Sequence, residues 1–415
     1  MSSETHLGRN RLIHQLHKSC APTVITVTGG GSLAISDLLS VPGSAKMLLA
    51  AHVPYSATAL GRYLLATPGQ FCSVRTARQM GMAAWREALS LAREELLLQD
   101  SPPRPVSPFL PVIGLAATAG LISSRVKHGA HRMHVAWQTW EETGSWSLEL
   151  RKGERDREQE ERVVADLLLA GLARAAGVAT AYAPTLLEGE HIVAKLTTGL
   201  PAWRDVIGGR LRACASHGLE RVTSEQTLSG ARLVFPGSFE PRHTGHTAMA
   251  VYAAQRLDLP VEWEISLVNV EKPPLDYTTI AERAAQFTKS ECLWLTAAPT
   301  FVEKSRLFTG ATFIVGADTV ERIGQPRYYG GSTAEMLASL AEIAAAGCRF
   351  LVFGRRNPRD NKFESVSQLQ LPPELLALCI EVPEADFRMD VSSTDLRLDS
   401  ELIPPNPETA SPASP

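Results

Sequence analysis

The sequence of 415 residues lacks the features that mark several classes of protein. Its six cysteines are scattered and no pair has CxxC spacing, which excludes the usual zinc motifs and a disulfide framework. No apolar run is long enough to span a membrane, and the first twenty residues lack the apolar core of a signal peptide. The net charge of -3 gives no general attraction to nucleic acids or acidic membranes. These absences predict a soluble, cytoplasmic protein without nucleic-acid or membrane partners.

Three breaks in composition organise the chain. Residues 101–111 contain five prolines, which indicates a loop or a domain boundary. Residues 151–162 are highly charged and run into apolar residues at helical spacing, which predicts one long amphipathic helix with a solvated start. Residues 401–415 are rich in proline and poor in apolar side chains, and we expect this tail to be disordered.

Between these breaks, short β-like runs alternate with helical stretches. In the second half the predicted strands are 233–235, 265–268, 292–296, 312–315 and 349–353. This alternation predicts α/β architecture with parallel sheets. We expect two α/β domains, 1–177 and 228–400, joined by a linker at 178–227 and followed by the tail. The second domain is predicted to be a doubly wound, Rossmann-like parallel sheet.

The stretch FPGSFEPRHTGHT, residues 235–247, follows a predicted strand and leads into a predicted helix. Ligands of parallel sheets bind at the carboxyl ends of strands, and a helix N-terminus there attracts anions. Gly237 lets the backbone approach a ligand, and His243 and His246 add side-chain donors. The pattern favours a polyphosphate site that works by charge stabilisation. The alternative is a turn with one exposed histidine and one capping histidine.

The string GSFEPRHTGH resembles the G-[ST]-F-[DN]-P-x-H-x-G-H signature of the HxGH nucleotidyltransferase superfamily. Within it, the sequence is most similar to the nicotinamide and nicotinate mononucleotide adenylyltransferases. Residues 313–319, FIVGADT, resemble the FIxGxD segment of that family, and residues 391–397, VSSTDLR, resemble its ISSTxIR segment. Glu240 departs from the pattern, since the family has Asp or Asn there.

The resemblance implies transfer of an adenylyl group from Mg-ATP to a mononucleotide, with Mg²⁺ entering together with ATP. No side-chain nucleophile is required, because the attacking phosphate is already anionic. It assigns ATP binding to Gly237, Ser238, Phe239, His243, His246, Gly316, Asp318, Arg355, Ser392, Ser393, Thr394 and Arg397. The catalytic candidates among them are His243, His246 and Arg397. Lys272 and Arg283 fall where related enzymes place basic residues near the acceptor nucleotide.

The residues by themselves leave structural alternatives open. Asp318 follows a predicted strand, where it can bind ribose hydroxyls or cap the next helix. The SST segment can donate to phosphate or simply cap a helix, and Arg355 can reach the cleft or lie in a solvated loop. The predicted acceptor is nicotinamide or nicotinate mononucleotide, in NAD biosynthesis. A cytidylyltransferase acting on another phosphate, a non-catalytic nucleotide sensor, and a homo-oligomeric state all stay open.

The first half contains a second glycine turn, TVTGGGSLA at residues 26–34. It reads as strand, turn and helix, and it lacks the lysine of a P-loop, so a purely structural turn is the alternative to a phosphate site. The segment resembles the opening of the CinA-like nicotinamide-nucleotide amidase family. Residues 53–60, 73–80 and 114–120 continue the resemblance, which covers most of residues 3–177.

That family uses an activated serine with a lysine and a tyrosine nearby. Here Thr26 stands at the serine position, Tyr55 is kept, and Leu60 replaces the lysine. Because loss of the amine removes the proton acceptor, we expect a degenerate amidase site that binds a nucleotide-like ligand or only scaffolds. His128, His131 and His134 do not predict a metal site, since the last two point to opposite faces of a strand.

Overall fold

The computed structural model describes residues 3–99, 107–124, 129–215, 221–223, 226–269, 273–356 and 363–387. The chain forms two compact units. The first comprises Met1–Gly209 and Val268–Ala281, and the second comprises Arg210–Leu267 and Glu282–Pro415. No disulfide joins the six cysteines. Among the described helices, none has an apolar stretch of the length needed to cross a membrane.

The first unit is built on a six-stranded sheet of order β2-β1-β3-β4-β5-β6. Its strands are β1 Thr23–Thr28, β2 Leu48–His52, β3 Ile113–Gly120, β4 His131–Gln138, β5 Glu142–Leu150 and β6 Val193–Thr198. Its helices are α1 Ser3–Ser19, α2 Ser32–Ser40, α3 Ala57–Leu64, α4 Val74–Gln99, α5 Arg157–Ala175 and α6 Pro201–Ile207, with a short 3-10 helix at Ser44–Lys46. β2, β1 and β3 are parallel, and β3 to β6 are antiparallel.

The parallel part of this sheet is buried on both faces. All six residues of β1, TVITVT, are buried, and β-branched side chains suit such a strand. Ile25 and Val27 pack into a core shared with α1, α2 and α5, whereas Val24 packs with α4 on the other face. The two helical layers therefore sandwich the strands, as α/β architecture requires.

Helix α5 is shorter and more buried than the sequence predicts. It begins at Arg157 because Asp156 caps it through a capping box with Gln159, and Gly153 before it has a φ of 82°. The predicted helix start at residue 151 is therefore wrong. The helix is also buried almost all round, because the sheet lies against one side and the chain of residues 178–192 packs on it as well.

The second unit is built on an eight-stranded sheet of order β16-β13-β12-β9-β10-β11-β7-β8. Its strands are β7 Leu211–Ala215, β8 Arg221–Thr223, β9 Arg232–Pro236, β10 Val261–Ser266, β11 Cys292–Thr296, β12 Ala311–Gly316, β13 Arg349–Phe353 and β16 Cys379–Val382, with a separate hairpin of β14 Arg355–Arg356 and β15 Phe363–Glu364. Its helices are α7 Thr244–Leu257, α9 Phe301–Leu307, α10 Ala317–Ile323, α11 Thr333–Ala345 and α12 Pro373–Leu376, with 3-10 helices at Pro326–Tyr328 and Val366–Gln368. A further helix, α8 Tyr277–Ala284, begins in the first unit and ends in the second.

Six strands of the second sheet are parallel, and β7 and β8 add an antiparallel edge. Numbered along the chain from β9, the parallel strands lie in the order 3-2-1-4-5-6. This is the strand order of the doubly wound dinucleotide-binding fold, so the predicted Rossmann-like sheet is confirmed. The strand order reverses between β9 and β12, and such a switch point opens a crevice at the carboxyl ends of the strands.

Two predicted segments differ from the structure. The strand predicted at 265–268 is β10, which begins at Val261, because its Glu262 and Glu264 obscure the apolar pattern. The linker predicted at 178–227 contains regular structure: β6 pairs with β5 in the first sheet, and β7 pairs with β11 in the second. These strand pairings place the segment in both units.

The chain returns to the first unit after β10. Tyr277 is 0% exposed there. Its N–H donates to Thr143 Oγ1 at 3.0 Å and its hydroxyl to the carbonyl of Trp140 at 2.9 Å. Asp276 pairs with Arg78 at 3.3 Å. Residues 273–281 thus belong to the first unit, with Tyr277 in its core, although the sequence on either side of Val268–Ala281 belongs to the second.

Candidate functional site

The segment that carries His243 and His246 lies at the switch point of the second sheet. β9 ends at Pro236, a turn follows, and α7 begins at Thr244 with His243 as its N-cap. β12, the neighbour of β9 across the switch point, ends at Gly316. The predicted strand, turn and helix are confirmed, and the turn opens toward the crevice that this fold uses for ligands.

The turn is held by the aromatic core beneath it. Phe239 is 1% exposed, and its ring packs against Phe235, Trp263 and Phe287. A Cβ on Gly237 would lie 2.6 Å from the Phe239 ring, so glycine is required at that position by the packing. Phe239 was predicted to bind ATP, but its burial makes its side chain a support of the turn. Ser238, between these two residues, is exposed.

The two histidines form a capping box at the N-terminus of α7, with His243 at the N-cap and His246 three residues later. His243 Nδ1 accepts a hydrogen bond from the Gly245 N–H at 3.1 Å, and His246 Nδ1 accepts one from the His243 N–H at 3.2 Å. Their rings stack with centroids 3.7 Å apart. Because both Nδ1 atoms accept hydrogen bonds, each neutral ring carries its proton on Nε2 and is a donor at that atom.

Burial keeps both rings neutral at neutral pH. Burial lowers the pKa of His243. Burial lowers the pKa of His246 to about 4, with smaller contributions from the neighbouring His243 and Arg242. The pair therefore offers neutral N–H donors at the N-terminus of a helix, where the helix dipole favours anions.

The histidines give the protein an acid-sensitive stability. The pKa of His246 and that of His134 in the first unit are both lowered to about 4 in the folded chain. Between pH 6.5 and 4 the unfolded chain binds these protons and the folded chain does not, so stability falls as the pH falls through this window. We expect the melting temperature to drop between pH 6.5 and 4.5, and to drop less steeply in His246→Asn. Calorimetric scans across this range test it, with His191→Asn at an exposed turn as the control; equal slopes for His246→Asn and the unaltered protein would contradict it.

Arg242, next to His243, is occupied by structural contacts. Its guanidinium pairs with Glu291 at 2.6 Å and lies 4.1 Å above the centroid of Trp263. It lines an open depression of about 670 Å³ together with His243, Thr244, Thr247, Ala248 and Gln286. This depression begins at His243 and exposes the first turn of α7, so an anion there would meet the helix N-terminus.

A buried ion pair lies beneath the same turn. Lys304 of α9 donates to both carboxylate oxygens of Glu264, each at 2.7 Å, and to the carbonyl of Ala298 at 2.7 Å. The carbonyl of Glu264 accepts the N–H of Gly237 at 2.9 Å. The pair therefore ties α9 to β10 and, through the backbone of Glu264, to the start of the turn.

The other predicted nucleotide contacts lie around the end of β12. Gly316 is the N-cap of α10, and a Cβ at this position would have no heavy atom within 4 Å outside the adjacent backbone. Asp318 follows in the first turn of that helix and is half-exposed. It forms an ion pair with Arg355, which also reaches Glu364 at 3.3 Å and Glu321 at 3.7 Å. Three carboxylates thus surround Arg355, and this excess of negative charge opposes the predicted contact of Arg355 with phosphates.

Arg283, predicted to bind the acceptor, forms an ion pair within the protein. Its guanidinium pairs with Glu240 at 2.7 Å, and its side chain is only 12% exposed. Glu240 is the residue at which the turn departs from the family pattern, so the longer carboxylate finds a partner on α8. Lys272, Ser392, Ser393, Thr394, Arg397 and the tail 401–415 lie outside the described residues.

The carboxylate of Glu161 occupies the glycine turn of the first unit. Glu161 Oε1 accepts hydrogen bonds from the N–H of Gly31 at 2.9 Å, the hydroxyl of Ser32 at 3.0 Å and the N–H of Leu33 at 3.2 Å. Arg157 donates to the carbonyl of Gly29 at 3.1 Å. The N-terminus of α2 thus holds an internal carboxylate in place of a ligand anion, which favours the structural interpretation of this turn.

Thr26 and Tyr55 differ in exposure, and Thr26 has another tyrosine as its hydrogen-bond partner. Thr26 is buried and shares a hydrogen bond of 2.7 Å with the hydroxyl of Tyr63, whereas Tyr55 is 72% exposed. Burial raises the pKa of Tyr63 to about 12, so this hydroxyl stays protonated at neutral pH. Leu60, at the lysine position, is buried in an apolar cluster with Leu64 of the same helix.

The histidines of β4 have separate partners. His131 Nδ1 lies 2.6 Å from Glu160 Oε1, and His134 Nδ1 lies 2.7 Å from Ser147 Oγ. His128 lies outside the described residues. Among the residues that the structure describes, no three His, Cys, Asp or Glu side chains are arranged to hold a metal ion.

Sequence reasoning missed the segment after α8 that holds the histidine turn. Gln286 and Glu291 both bond to Arg242, more than 40 residues earlier in the chain. No local motif marks these two residues, because their function depends on a contact made only in the folded chain. The sequence around them, QFTKSE at residues 286–291, has no pattern that sets these two polar residues apart from their neighbours.

Comparison with known proteins agrees with this geometry. The cytidylyltransferase-like family matches residues 234–398, from β9 through the segment that follows β16. The second unit contains a cytidylyltransferase-like domain. The match includes both the histidine turn and the end of β12, and it supports nucleotidyltransferase activity in general for this domain.

Solved structures with similarity to the chain include three proteins of the competence-damage group. One is the competence/damage inducible protein CihA from Agrobacterium tumefaciens, 16% identical, covering 43% of this chain and 94% of that one, with a TM-score of 0.28. A CinA superfamily protein from Escherichia coli is 13% identical over 42% of this chain and 92% of that one, with a TM-score of 0.29. A competence or damage-inducible protein from Enterobacter asburiae is 16% identical over 41% and 98%, with a TM-score of 0.28. No curated protein matches the chain significantly.

Proposed function

We propose that the protein transfers an adenylyl group from Mg-ATP to nicotinamide or nicotinate mononucleotide in the cytoplasm and releases pyrophosphate. The observation that carries the proposal is the pair of stacked histidines, whose Nδ1 atoms both accept backbone N–H groups at the switch point of a doubly wound sheet. Two neutral N–H donors at a helix N-terminus suit the phosphates of a nucleoside triphosphate.

The reaction needs positioning and charge stabilisation more than a reactive side chain. An oxygen of the acceptor's 5′-phosphate attacks the α-phosphorus of ATP. A new P–O bond forms there, the bond from the α-phosphorus to the bridging oxygen breaks, and pyrophosphate leaves with that electron pair. His243 and His246 donate hydrogen bonds to the phosphates as negative charge moves toward the leaving group. Mg²⁺ arrives as part of the substrate and shields the phosphate charge.

The end of β12 supplies the site for the rest of the nucleotide. Asp318 stands one turn from the switch point with a half-exposed carboxylate, which suits hydrogen bonds from ribose hydroxyls. The open backbone at Gly316 lets a sugar approach. Ser393, Thr394 and Arg397 are proposed for the β- and γ-phosphates on the strength of the sequence pattern alone.

The pyridine nucleotide acceptor is proposed from the two sequence resemblances together. An amidase of the CinA-like kind acts on nicotinamide mononucleotide, which is also the acceptor of the most similar adenylyltransferases. The matching family is described as cytidylyltransferase-like, so transfer of a cytidylyl group from CTP is the second candidate.

The deciding experiment uses the full-length protein. It is incubated with Mg-ATP and nicotinamide mononucleotide, nicotinate mononucleotide or pantetheine phosphate, and in parallel with Mg-CTP and choline phosphate or glycerol phosphate. Pyrophosphate release is measured and products are identified by mass. A dinucleotide from a pyridine mononucleotide supports the proposal, and a cytidylyl product replaces it with the second candidate. ATP binding by calorimetry without any product would favour a non-catalytic sensor.

The first unit is not expected to hydrolyse amides. Thr26 is sealed beneath Tyr63, and a buried leucine stands where an amine would have to accept the proton. We expect no ammonia release from nicotinamide mononucleotide above the rate of a boiled sample, measured with the full-length protein in the absence of ATP. Robust ammonia release that is lost in Thr26→Val would overturn this expectation.

A further inference from the structure

The four residues that lead into the histidines, Phe239 to Arg242, are clamped by one distant side chain. Gln286 lies just beyond the end of α8. Its Nε2 donates to the carbonyl of Phe239 at 2.9 Å, and its Oε1 accepts the N–H of Arg242 at 2.7 Å. A single amide thus bonds to the backbone at both ends of the turn.

The chemistry of the clamp requires an amide. A glutamine side chain offers a donor and an acceptor at once, and this turn presents one carbonyl and one N–H. A carboxylate could accept from Arg242 but would repel the carbonyl of Phe239. The neighbouring contacts differ in kind, because Arg283 and Glu291 hold the side chains of Glu240 and Arg242 and not the backbone of the turn.

The turn needs such support because its backbone is unfavourable by itself. Phe239 has a φ of 44°, in the left-handed region that a bulky side chain rarely adopts. The hydrogen bond to its carbonyl fixes the peptide between Phe239 and Glu240, and the hydrogen bond from the Arg242 N–H fixes the peptide between Pro241 and Arg242. From there the order continues, because the His243 N–H donates to His246 Nδ1 and the two rings stack.

We propose that Gln286 is a positioning residue for the His243–His246 pair, which it holds with both Nε2 atoms directed as donors toward a bound anion. The proposal deepens the proposed function, on which its catalytic consequence rests. Its structural content concerns only the geometry and the protonation of the two rings, so it can be tested without turnover.

The first test is an NMR measurement of histidine tautomers in the full-length protein labelled with ¹⁵N-histidine. In the unaltered protein we expect His243 and His246 to carry their protons on Nε2 at pH 7. In Gln286→Met, which has a similar length but no polar amide, we expect a mixture of tautomers and a pKa of His246 closer to its ordinary value. Gln255→Met, on the exposed side of α7, is the matched control and should leave both signals unchanged.

The second test is kinetic. In Gln286→Met we expect kcat for nucleotidyl transfer to fall about 10- to 100-fold, while KM for ATP changes less than about threefold, because misplacement of a catalytic group affects the transition state most. Unchanged tautomers together with an unchanged kcat would overturn the proposal. If Gln286→Met does not fold, Gln286→Glu replaces it, since Glu keeps the acceptor for Arg242; native tautomers and native kcat in that variant would again overturn it. If the unaltered protein transfers no nucleotide, the proposed function fails, and the tautomer comparison still decides the role of Gln286.

Discussion

His246→Gln lowers the rate of nucleotidyl transfer about 100- to 1,000-fold and leaves the melting temperature nearly unchanged. In the proposed reaction the imidazole of His246 supplies one of the two Nε2 donors to the phosphates, and loss of one such donor typically costs this much in kcat. Glutamine is the matched replacement because it is a preferred residue at the third position of a capping box. It can therefore accept the N–H of His243, as Nδ1 of His246 now does at 3.2 Å.

The control separates catalysis from folding. His246→Ala removes the donor and the cap together, so it should lose the same activity and in addition about 1 kcal/mol of helix stability. His191→Ala, at an exposed turn of the first unit, should change neither property. Transfer by His246→Gln at the rate of the unaltered protein would contradict the assignment of this histidine.

Lys304→Met lowers the free energy of unfolding of the second unit by about 3–5 kcal/mol. The substitution leaves the carboxylate of Glu264 buried without its cation, since Lys304 Nζ bonds both of its oxygens at 2.7 Å. Thr296 remains as a donor to Glu264 at 2.5 Å, but one hydroxyl does not balance a buried charge. Because the carbonyl of Glu264 accepts the N–H of Gly237, we also expect faster hydrogen exchange in the histidine turn.

Urea unfolding measured by hydrogen exchange of peptides from β10 and α9 checks this prediction, since it isolates the second unit in a chain of two units. The double variant Glu264→Gln/Lys304→Met removes the charge and its partner together, and it should recover more than half of the loss. Lys289→Met, at an exposed position of the same unit, should have an effect below about 0.5 kcal/mol. A loss of that small size in Lys304→Met would show that the pair contributes little.

The sequence predicts local structure well wherever neighbouring residues determine it. The strands β11 and β13 were predicted with their observed bounds, because each is a short run of apolar residues flanked by turn residues. The same reasoning failed at β10, where Glu262 and Glu264 interrupt the apolar pattern. Those carboxylates are tolerated because each has a cation, Arg232 for the first and Lys304 for the second, and neither pairing can be read from spacing.

In the candidate site, too, features determined by neighbouring residues were predicted and those determined by long-range contacts were not. His243, Gly316 and Asp318 were placed at strand ends because motif and strand lie next to each other in sequence. Gln286 was missed, and the contact of Arg283 with Glu240 was not predicted, because contacts with residues 239–242 depend on how the chain around the end of α8 folds back toward β9. Likewise, Tyr63 and not Tyr55 bonds to Thr26, which is decided by the direction in which α3 presents its side chains.

Tyr277 and the residues around it bear on how the chain can be divided into separate pieces. A gene cut after residue 209 would encode a first half with an empty socket where Tyr277 is now fully enclosed. The complementary half would carry Tyr277 without the residues that now enclose it. Because residues 268–281 belong to the first unit and the residues on both sides of them belong to the second, no single cut of the chain yields both units intact.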